Sequence, residues 1–291
     1  MGELAQQLAN GLVLGGIYSL AALGLTLIYG IMDIVNIAHG ELFMLGALLT
    51  YYLTAVVGLS FFLSGIIAIL LVAFLGMFVE RVALRPIAHA GISVTTLATL
   101  GISLILQNVS LIMTSGVPRF IPSPFSEKPL TLFGVVSMAP ARIFSAVVAF
   151  VVIVGVHLFL HRTKQGNAMR AAFQDKDASW LVGINVGTTY MFSYAFGAAL
   201  AALGGALLGT VAFVDPMMGA KGLMKAFVVV TIGGMGNFMG AIFSGLLLGV
   251  MEALTAGYVS SLYKDVIGFV LVVVILVFLP SGLFGRKERR S

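Results

Sequence analysis

The sequence predicts an all-α, polytopic integral membrane protein of about eight transmembrane helices, two of them broken or re-entrant, arranged in a tandem repeat. Of its 291 residues, 60% are hydrophobic and only 9% are charged, and the mean hydropathy is +1.10. Several apolar runs reach the length of about 20 residues that a helix needs to cross a bilayer. Water-soluble domains do not have this composition. We therefore expect residues 1–291 to form a single transmembrane domain.

The placement of basic residues predicts the orientation of the spans. Most of them occupy three places between or after apolar runs, which we assign to the cytoplasm because cytoplasmic loops are enriched in Lys and Arg. They are Arg81, Arg85, Arg162, Lys164, Arg170, Lys176, Arg286, Lys287, Arg289 and Arg290. Lys221, Lys225 and Lys264 fall outside in this scheme, against the general tendency. The distribution forms no nucleic-acid patch, and the absence of cysteine excludes disulfides, thiolate metal sites and a Cys nucleophile.

The first apolar run, Leu12–Ile31, is expected to be retained as a span that starts outside, because no basic residue precedes it as in a secretory signal. A polar interruption follows, before the apolar run resumes at Leu42. Gly30 and Gly40 are the predicted points at which the helix breaks. The polar side chains of this interruption are Asp33, Asn36, His39 and Glu41. Such groups need a protein-lined or wet cavity at membrane depth.

Three interpretations of this first interruption are open. His39 and Glu41 suggest a metal site, but the pattern HExxH is absent and no second nearby His completes a site, so we predict no metal. A proton relay would use the ionisable groups. In the third interpretation the polar side chains satisfy the backbone ends of a broken helix. Asn36, His39 and Glu41 are candidate residues of a transport pathway.

The next two spans are predicted at Phe61–Val79 and Ile92–Met113, joined by a basic turn at Arg81–Pro86. Polar residues on the second of them recur at spacings of three and four, which places them on one helix face. They are Thr96, Thr99, Ser103 and Gln107. Such a stripe either lines a passage or joins two helices through hydrogen bonds. Each residue taken alone is more typical of a hydrogen bond between helices. The stripe as a whole is more typical of the wall of a pathway.

Residues 114–140 contain five prolines, which oppose a continuous helix. We interpret them as an outer loop, either an inert connection or a contact site for an extracytoplasmic partner. Another span, Ala141–Leu160, then returns the chain to the cytoplasm.

Residues 161–187 form the most mixed-charge stretch of the chain and are expected to lie in the cytoplasm. Apolar residues recur there at helical spacing from Ala168 to Leu181, which predicts a short helix with one apolar face. Asp175 or Asp177 is a candidate for its N-cap, and Gly183 is a candidate for its end. From composition alone, this helix could lie in the membrane interface or dock on a partner.

In the C-terminal half, spans are predicted at Thr188–Val211 and Val266–Leu279, with an apolar segment at Ala226–Ile232 that is too short to cross. The glycine-rich stretch GGMGNFMG at 233–240 lies between that segment and a run that ends at Leu254. It lacks the Gly-Lys-Ser/Thr ending of a phosphate loop, so we interpret it as a second helix break that contains the candidate pathway residue Asn237. Each break is followed by an apolar helix and a last span with a basic end, which suggests the tandem repeat. The basic C-terminus, residues 286–290, either fixes topology or binds anionic lipid, and we favour topology.

Four stretches together resemble the branched-chain amino acid permeases of ABC importers, most closely the H-type subunit. They are GLTLIYGIMDIVNIAHGELFMLGA, TLATLGISLILQN, QDKDASWLVGINV and IGGMGNFMGAIFSGLLLG. The resemblance implies that 161–187 is a coupling segment that presses on a cytoplasmic ATPase. The residues implied in that contact are Arg170, Gln174, Asp175, Ala178, Leu181, Gly183 and Asn185.

The same resemblance implies a bacterial inner-membrane permease subunit with no cofactor and no catalytic residue of its own. It implies a second homologous permease, two cytoplasmic ABC ATPases, a periplasmic amino-acid-binding protein and membrane lipid as partners. The chain itself lacks a phosphate-binding loop with Lys, so ATP chemistry is expected on other subunits. Two other classes remain open: an ion-coupled secondary transporter that uses Asp33, His39 or Glu41, and an intramembrane enzyme, for which His39 and Glu41 alone are close together.

Overall fold

The computed structural model describes residues 2–125, 128–132 and 134–285 and, within them, is built almost entirely of α-helices. The helices are α1 (Gly2–Met32), α2 (His39–Tyr51), α3 (Phe61–Val79), α4 (Ile92–Thr114), α5 (Pro140–Arg162), α6 (Lys164–Gln174), α7 (Lys176–Leu181), α8 (Val186–Val211), α9 (Met218–Gly233), α10 (Phe238–Tyr258) and α11 (Lys264–Phe278). One π-helical turn, Tyr52–Val56, extends α2, and another, Glu80–Leu84, extends α3. The basic C-terminus, residues 286–290, lies outside the described residues.

Six helices are long and apolar enough to cross a membrane: α1, α3 with its extension to Ile87, α4, α5, α8 and α10. The chain is therefore a multi-pass membrane protein, but the predicted number of about eight spans is not confirmed. The difference lies in α2, α9 and α11, which have 13, 16 and 15 residues. At about 1.5 Å of rise per residue, helices of that length do not cross the whole hydrocarbon layer.

Helix α9 begins well before the apolar segment Ala226–Ile232 that the sequence suggested. It starts at Met218 and includes Lys225, whose charge would be costly in an apolar environment. Lys225 Nζ contacts the buried carboxylate of Glu252 on α10 and lies 2.8 Å from Asp265 Oδ1 at the start of α11. These two carboxylates neutralise the ammonium, which explains how α9 can extend through that position.

The core lies around α1 and α8, whose side chains are mostly buried, whereas α3, α4 and α5 are largely exposed. Small residues allow the backbones to approach closely, as is usual between membrane helices. A Cβ at Gly15 of α1 would lie 2.7 Å from the Cα of Leu246 on α10. A Cβ at Gly205 of α8 would overlap the carbonyl oxygen of Phe43 on α2. The high glycine content therefore serves helix packing.

Residues 114–140, predicted as an outer loop, contain the only two strands among the described residues. Strands β1 (Leu130–Leu132) and β2 (Val136–Met138) form an antiparallel hairpin. Its β2 strand binds the start of α1, where the Ser137 N–H donates to Gln6 Oε1 at 2.8 Å. This bond and one from Arg142 to Asn10 (2.9 Å) explain why α1 begins ten residues before the predicted Leu12.

Candidate functional site

The segment 161–187 forms two short helices, α6 and α7, rather than the predicted single helix. Asp175 has extended backbone angles (φ −159°, ψ 114°) that end α6, and its Oδ1 accepts from the Ala178 N–H at 2.9 Å to begin α7. Asp175 is thus an N-cap, as one of the two alternatives predicted. Gly183 follows α7 with φ +83°, which confirms that it ends the helix, because a left-handed residue after a helix favours glycine.

The two helices present different surfaces. Helix α6 is buried through Met169 and Ala172. Helix α7 instead leaves Trp180, Leu181 and the following Val182 exposed by 72%, 79% and 76%. These three side chains, here named the apolar patch, are consecutive and uncovered by any described part of the chain. Exposed apolar groups in such a cluster indicate an interaction surface.

The predicted coupling residues divide between two sides of this segment. Ala178 and Leu181 lie on the exposed helix α7. Gly183 and Asn185 line a small hollow of about 330 Å³ beside Trp180, and Asn185 caps α8 by accepting from the Thr188 N–H at 2.9 Å. Arg170 and Gln174 instead line a larger cavity that α5 and α10 also line. The structure therefore does not bring all seven residues to one surface.

Helix α7 is joined directly to the first break by an ion pair. Lys176 Nζ lies 2.6 Å from Oδ2 of Asp33, the residue that follows α1. Burial alone would lower the pKa of Lys176, but the hydrogen bonds and charge interactions with Asp33 and Tyr190 together outweigh it, so this pKa lies above its ordinary value. Asp33 has φ +53°, a left-handed conformation that Asp tolerates better than most residues. Sequence reasoning missed the pair because 143 positions separate its members.

The first break spans residues 33–38, between α1 and α2. Gly30 and Gly40 are not its break points, contrary to the sequence prediction, because both lie within helices. Gly30 instead faces the ring of Phe173 on α6, and Gly40 faces the backbone of Gly219 on α9. These glycines allow close contacts, while the chain leaves the helix at Asp33.

Helix α4 holds the first break through its polar stripe. Thr99 Oγ1 accepts from the Ile37 N–H at 3.2 Å, and its single hydroxyl proton is shared between the carbonyl oxygens of Thr96 within α4 (2.8 Å) and Val35 in the break (3.2 Å). Ser103 Oγ donates to Glu41 Oε1 at 3.3 Å. Further along the stripe, Gln107 Nε2 lies 3.4 Å from the sulfur of Met217. Thr99, Ser103 and Gln107 thus join α4 to its neighbours, whereas the bond given for Thr96 lies within α4. The role of the stripe as a pathway wall stays a prediction.

The polar residues of the first break have separate environments. Asn36 is fully buried, and its amide has no hydrogen-bond partner among the described residues. His39 Nε2 lies 2.9 Å from the carbonyl oxygen of Ala21, and Glu41 is 3% exposed with Ser103 as its partner. Within the described part of the chain, no group of three His, Asp or Glu residues could hold a metal ion. Asp33, His39 and Glu41 thus bind three different partners, which are Lys176, the Ala21 carbonyl oxygen and Ser103.

The second break spans residues 234–237, between α9 and α10, and contains Asn237. Asn237 Oδ1 accepts from the Gly240 N–H, and its Nδ2 donates to the Phe284 carbonyl oxygen, both at 2.8 Å. The segment after α11 adds a backbone bond from Leu283 N to the Ile232 carbonyl oxygen (2.8 Å). Asn237 is therefore a cap and a tether, a role that its position before a helix at Phe238 already suggests.

Comparison with known proteins places these features in a family context. Residues 7–276 match the family model described as branched-chain amino acid transport system / permease component. The chain is 36% identical to the high-affinity branched-chain amino acid transport system permease protein BraD of Pseudomonas aeruginosa, over 97% of this chain and 96% of that protein. It is 33% identical to the corresponding LivH protein of Escherichia coli over the same shares. A probable LivH of Methanocaldococcus jannaschii is 29% identical over 97% of this chain and 95% of that protein.

Proposed function

This chain belongs to the family of branched-chain amino acid transport system permeases, and we propose that it is the membrane-spanning permease subunit of an ATP-driven importer for branched-chain amino acids. The names of its relatives support the substrate class. The proposed assembly contains a second homologous permease, two cytoplasmic ATPases and a periplasmic binding protein, in a bacterial inner membrane. The observation that carries the ATPase coupling is the exposed apolar patch on a helix that is tied by Lys176 to the first break.

In this proposal the ATPase docks on the apolar patch and moves α7. Because Lys176 holds Asp33, a displacement of α7 shifts the first break and the adjoining ends of α1 and α2. Thr99 links the same break to α4, so the movement reaches a third helix. Alternating access then requires two arrangements that differ by a few kcal/mol and that the partners bind unequally.

The pathway is proposed to pass along the two breaks and the polar face of α4, where polar groups lie at membrane depth. The eight proposed pathway residues are Asn36, His39, Glu41, Thr96, Thr99, Ser103, Gln107 and Asn237. The buried amide of Asn36 and the Glu41 carboxylate oxygen Oε2, both without hydrogen-bond partners among the described residues, support a polar route near the first break.

Co-purification with the ATPase subunits tests the docking step. Leu181→Asp puts a charge in the centre of the apolar patch, and we expect the ATPase to be lost from the purified complex. Leu262→Asp is the matched control, because Leu262 is 86% exposed but lies between α10 and α11, at the other end of α10 from the second break. Equal retention of the ATPase by both variants would contradict the proposed docking surface.

An ion-coupled secondary transporter is the second candidate. The observation that favours it is the buried Glu41 carboxylate, an ionisable group at membrane depth without a cationic partner among the described residues. The two candidates differ in their energy source. Uptake by this chain alone in vesicles with an ion gradient, abolished by Glu41→Gln, would favour the secondary transporter. Uptake that requires the ATPase and ATP would favour the importer.

A further inference from the structure

A cavity of about 870 Å³ lies between α5 and α10, at the end of the bundle that carries α6. Both helices pack on α1, and Leu23 of α1 lies at the floor of the cavity. Its size suits a ligand much larger than a single amino acid. The apolar patch and the first break lie outside this cavity, whereas the second break contributes Met235, Gly236 and Asn237 to its lining.

The deeper walls of the cavity are apolar and belong to the three helices α5, α10 and α11. Val156 and Leu160 contribute from α5, Ile242 from α10 and Leu276 from α11. Such walls favour a hydrocarbon chain and offer nothing to a fully hydrated ion.

The rim of the cavity is basic and polar. Arg170 lies there with Gln174 and with His157 and His161, whose rings stack at 4.3 Å. Arg170 donates to Asn167 Oδ1 at 2.7 Å but makes no ion pair within the described chain, and its Nε has no partner there. A guanidinium without a carboxylate is suited to bind an oxyanion such as phosphate.

The charge of the lining distinguishes between classes of ligand. None of the described residues that line the cavity is Asp or Glu. A zwitterionic amino acid would find a cationic partner for its carboxylate but no carboxylate for its ammonium group. A phosphate diester with an acyl chain matches both the basic rim and the apolar walls. Anionic lipid headgroups lie at this level on the predicted cytoplasmic side.

We propose that this cavity binds an anionic phospholipid, with the phosphate at Arg170 and an acyl chain along α5 and α10. The site goes beyond the transport function, because it would be occupied whether or not substrate is carried. It places a membrane lipid between the α5 end of the coupling segment and the second break.

Native mass spectrometry of the purified full chain, with added phosphatidylglycerol or phosphatidylcholine, tests the proposal. We expect phosphatidylglycerol to bind more tightly, and Arg170→Gln to weaken its binding at least about fivefold, from about 1 kcal/mol per basic residue near an anionic surface. Gln174→Arg adds a rim charge at an exposed position and should tighten binding by about fivefold. Arg162→Gln is the matched control, because Arg162 is exposed and lies outside the lining.

A second variant addresses the acyl chain. Met239 lines the cavity and is 45% exposed, so Met239→Trp adds bulk inside the cavity and should lower phosphatidylglycerol binding. Phe269→Trp, on the exposed face of α11, should leave it unchanged.

Three results would overturn the proposal. They are equal binding of the two lipids, displacement of phosphatidylglycerol by glycerol phosphate at similar concentration, and displacement by leucine. Displacement by glycerol phosphate would assign the site to a soluble phosphate, and displacement by leucine would assign it to an amino acid. Unchanged binding in both Gln174→Arg and Met239→Trp would equally exclude this cavity, whatever the folding of Arg170→Gln.

Discussion

The two helix breaks of this molecule are held in different ways. The first, residues 33–38, is fixed by side chains that come from other helices: Lys176 of α7 and Thr99 of α4. The second, residues 234–237, is closed by the backbone of the segment after α11, with Asn237 as an additional tether. Gly234 and Gly236 adopt φ +93° and +82° there.

The difference separates a movable junction from a fixed one. Lys176 reaches the first break through a long, flexible side chain, so its bond can persist while the helices shift, whereas a backbone ladder with close glycine contacts tolerates little displacement. The first break also contains the fully buried Asn36, whose amide lacks a hydrogen-bond partner among the described residues. We therefore expect substitutions at the second break to affect folding, and those at the first break to affect transport.

The largest expected effect is that of Gly234→Ala at the second break. The φ of +93° strains any other residue, and the new Cβ would lie 2.7 Å from the Gly285 nitrogen. Strain and overlap together should lower stability by about 3 kcal/mol or more. The melting temperature of the detergent-purified variant, compared with that of the unchanged protein, reports this loss of stability.

Gly58→Ala is its control, because Gly58 has φ +81° with nothing within 4 Å of an added Cβ. It should cost only the conformational strain, about 1 kcal/mol. Similar losses in the two variants would show that the close contact at the second break contributes nothing.

A smaller effect is expected from Asn237→Ala, compared with Asn36→Leu. Asn237 makes two hydrogen bonds, and leaving both partners unsatisfied should cost about 2 kcal/mol. Asn36 lies beside the Tyr194 hydroxyl without a hydrogen bond of normal geometry, so its replacement by a leucine of similar size should cost less than about 1 kcal/mol. Chemical denaturation gives the free energies of unfolding of the two variants. A larger loss for Asn36→Leu would reverse the assignment of fixed and movable breaks.

Thr99→Val should cost about 1 kcal/mol, because the Ile37 N–H loses its acceptor while the side-chain volume is kept. If the first break transmits movement to α4, reconstituted ATP-driven uptake should fall more than this stability loss explains. Ser110→Ala is the control, since its hydroxyl bonds only within α4. Equal uptake by both variants would remove Thr99 from the transmission path.

Much of the fold follows from periodicity and composition, and the misses have local causes. The limits of α3, α4 and α8 are close to prediction because continuous apolar runs determine them. Helix α9 was predicted too short because Lys225 interrupts its apolar run. The carboxylates that neutralise Lys225 come from α10 and α11, so the sequence of α9 alone gives no sign of them. The hairpin at 130–138 was missed because the prolines around it dominate the pattern.

In the candidate site, the sequence predicted the helix caps but not the contacts between residues that lie far apart in the chain. Asp175 and Gly183 have roles set by their immediate neighbours, so capping rules predicted them. The prediction of a single helix failed because Asp175, in the middle of the apolar periodicity from Ala168 to Leu181, has the extended backbone that divides α6 from α7. The pairing of Lys176 with Asp33 and the position of Arg170 beside a cavity depend on tertiary packing, which no spacing in the sequence encodes.

The smallest effect on stability, with the most direct bearing on coupling, is expected at the Lys176–Asp33 pair. The side chains are 38% and 62% exposed, so breaking the pair should cost less than about 1 kcal/mol. Because the folded-state pKa of Lys176 is raised, the contribution is complete below the ordinary lysine value of about 10.4 and is lost only as pH rises through the higher folded value. It should therefore not vary between about pH 6 and 9 but should weaken with salt. Lys176→Asp, at a helical position, should uncouple ATP hydrolysis from uptake with little change in melting temperature, and the exchange Asp33→Lys with Lys176→Asp should restore coupling. Restored coupling in the double variant would show that the opposite charges of the pair matter rather than either residue alone. Intact coupling in Lys176→Asp would leave the first break without its proposed connection to the ATPase.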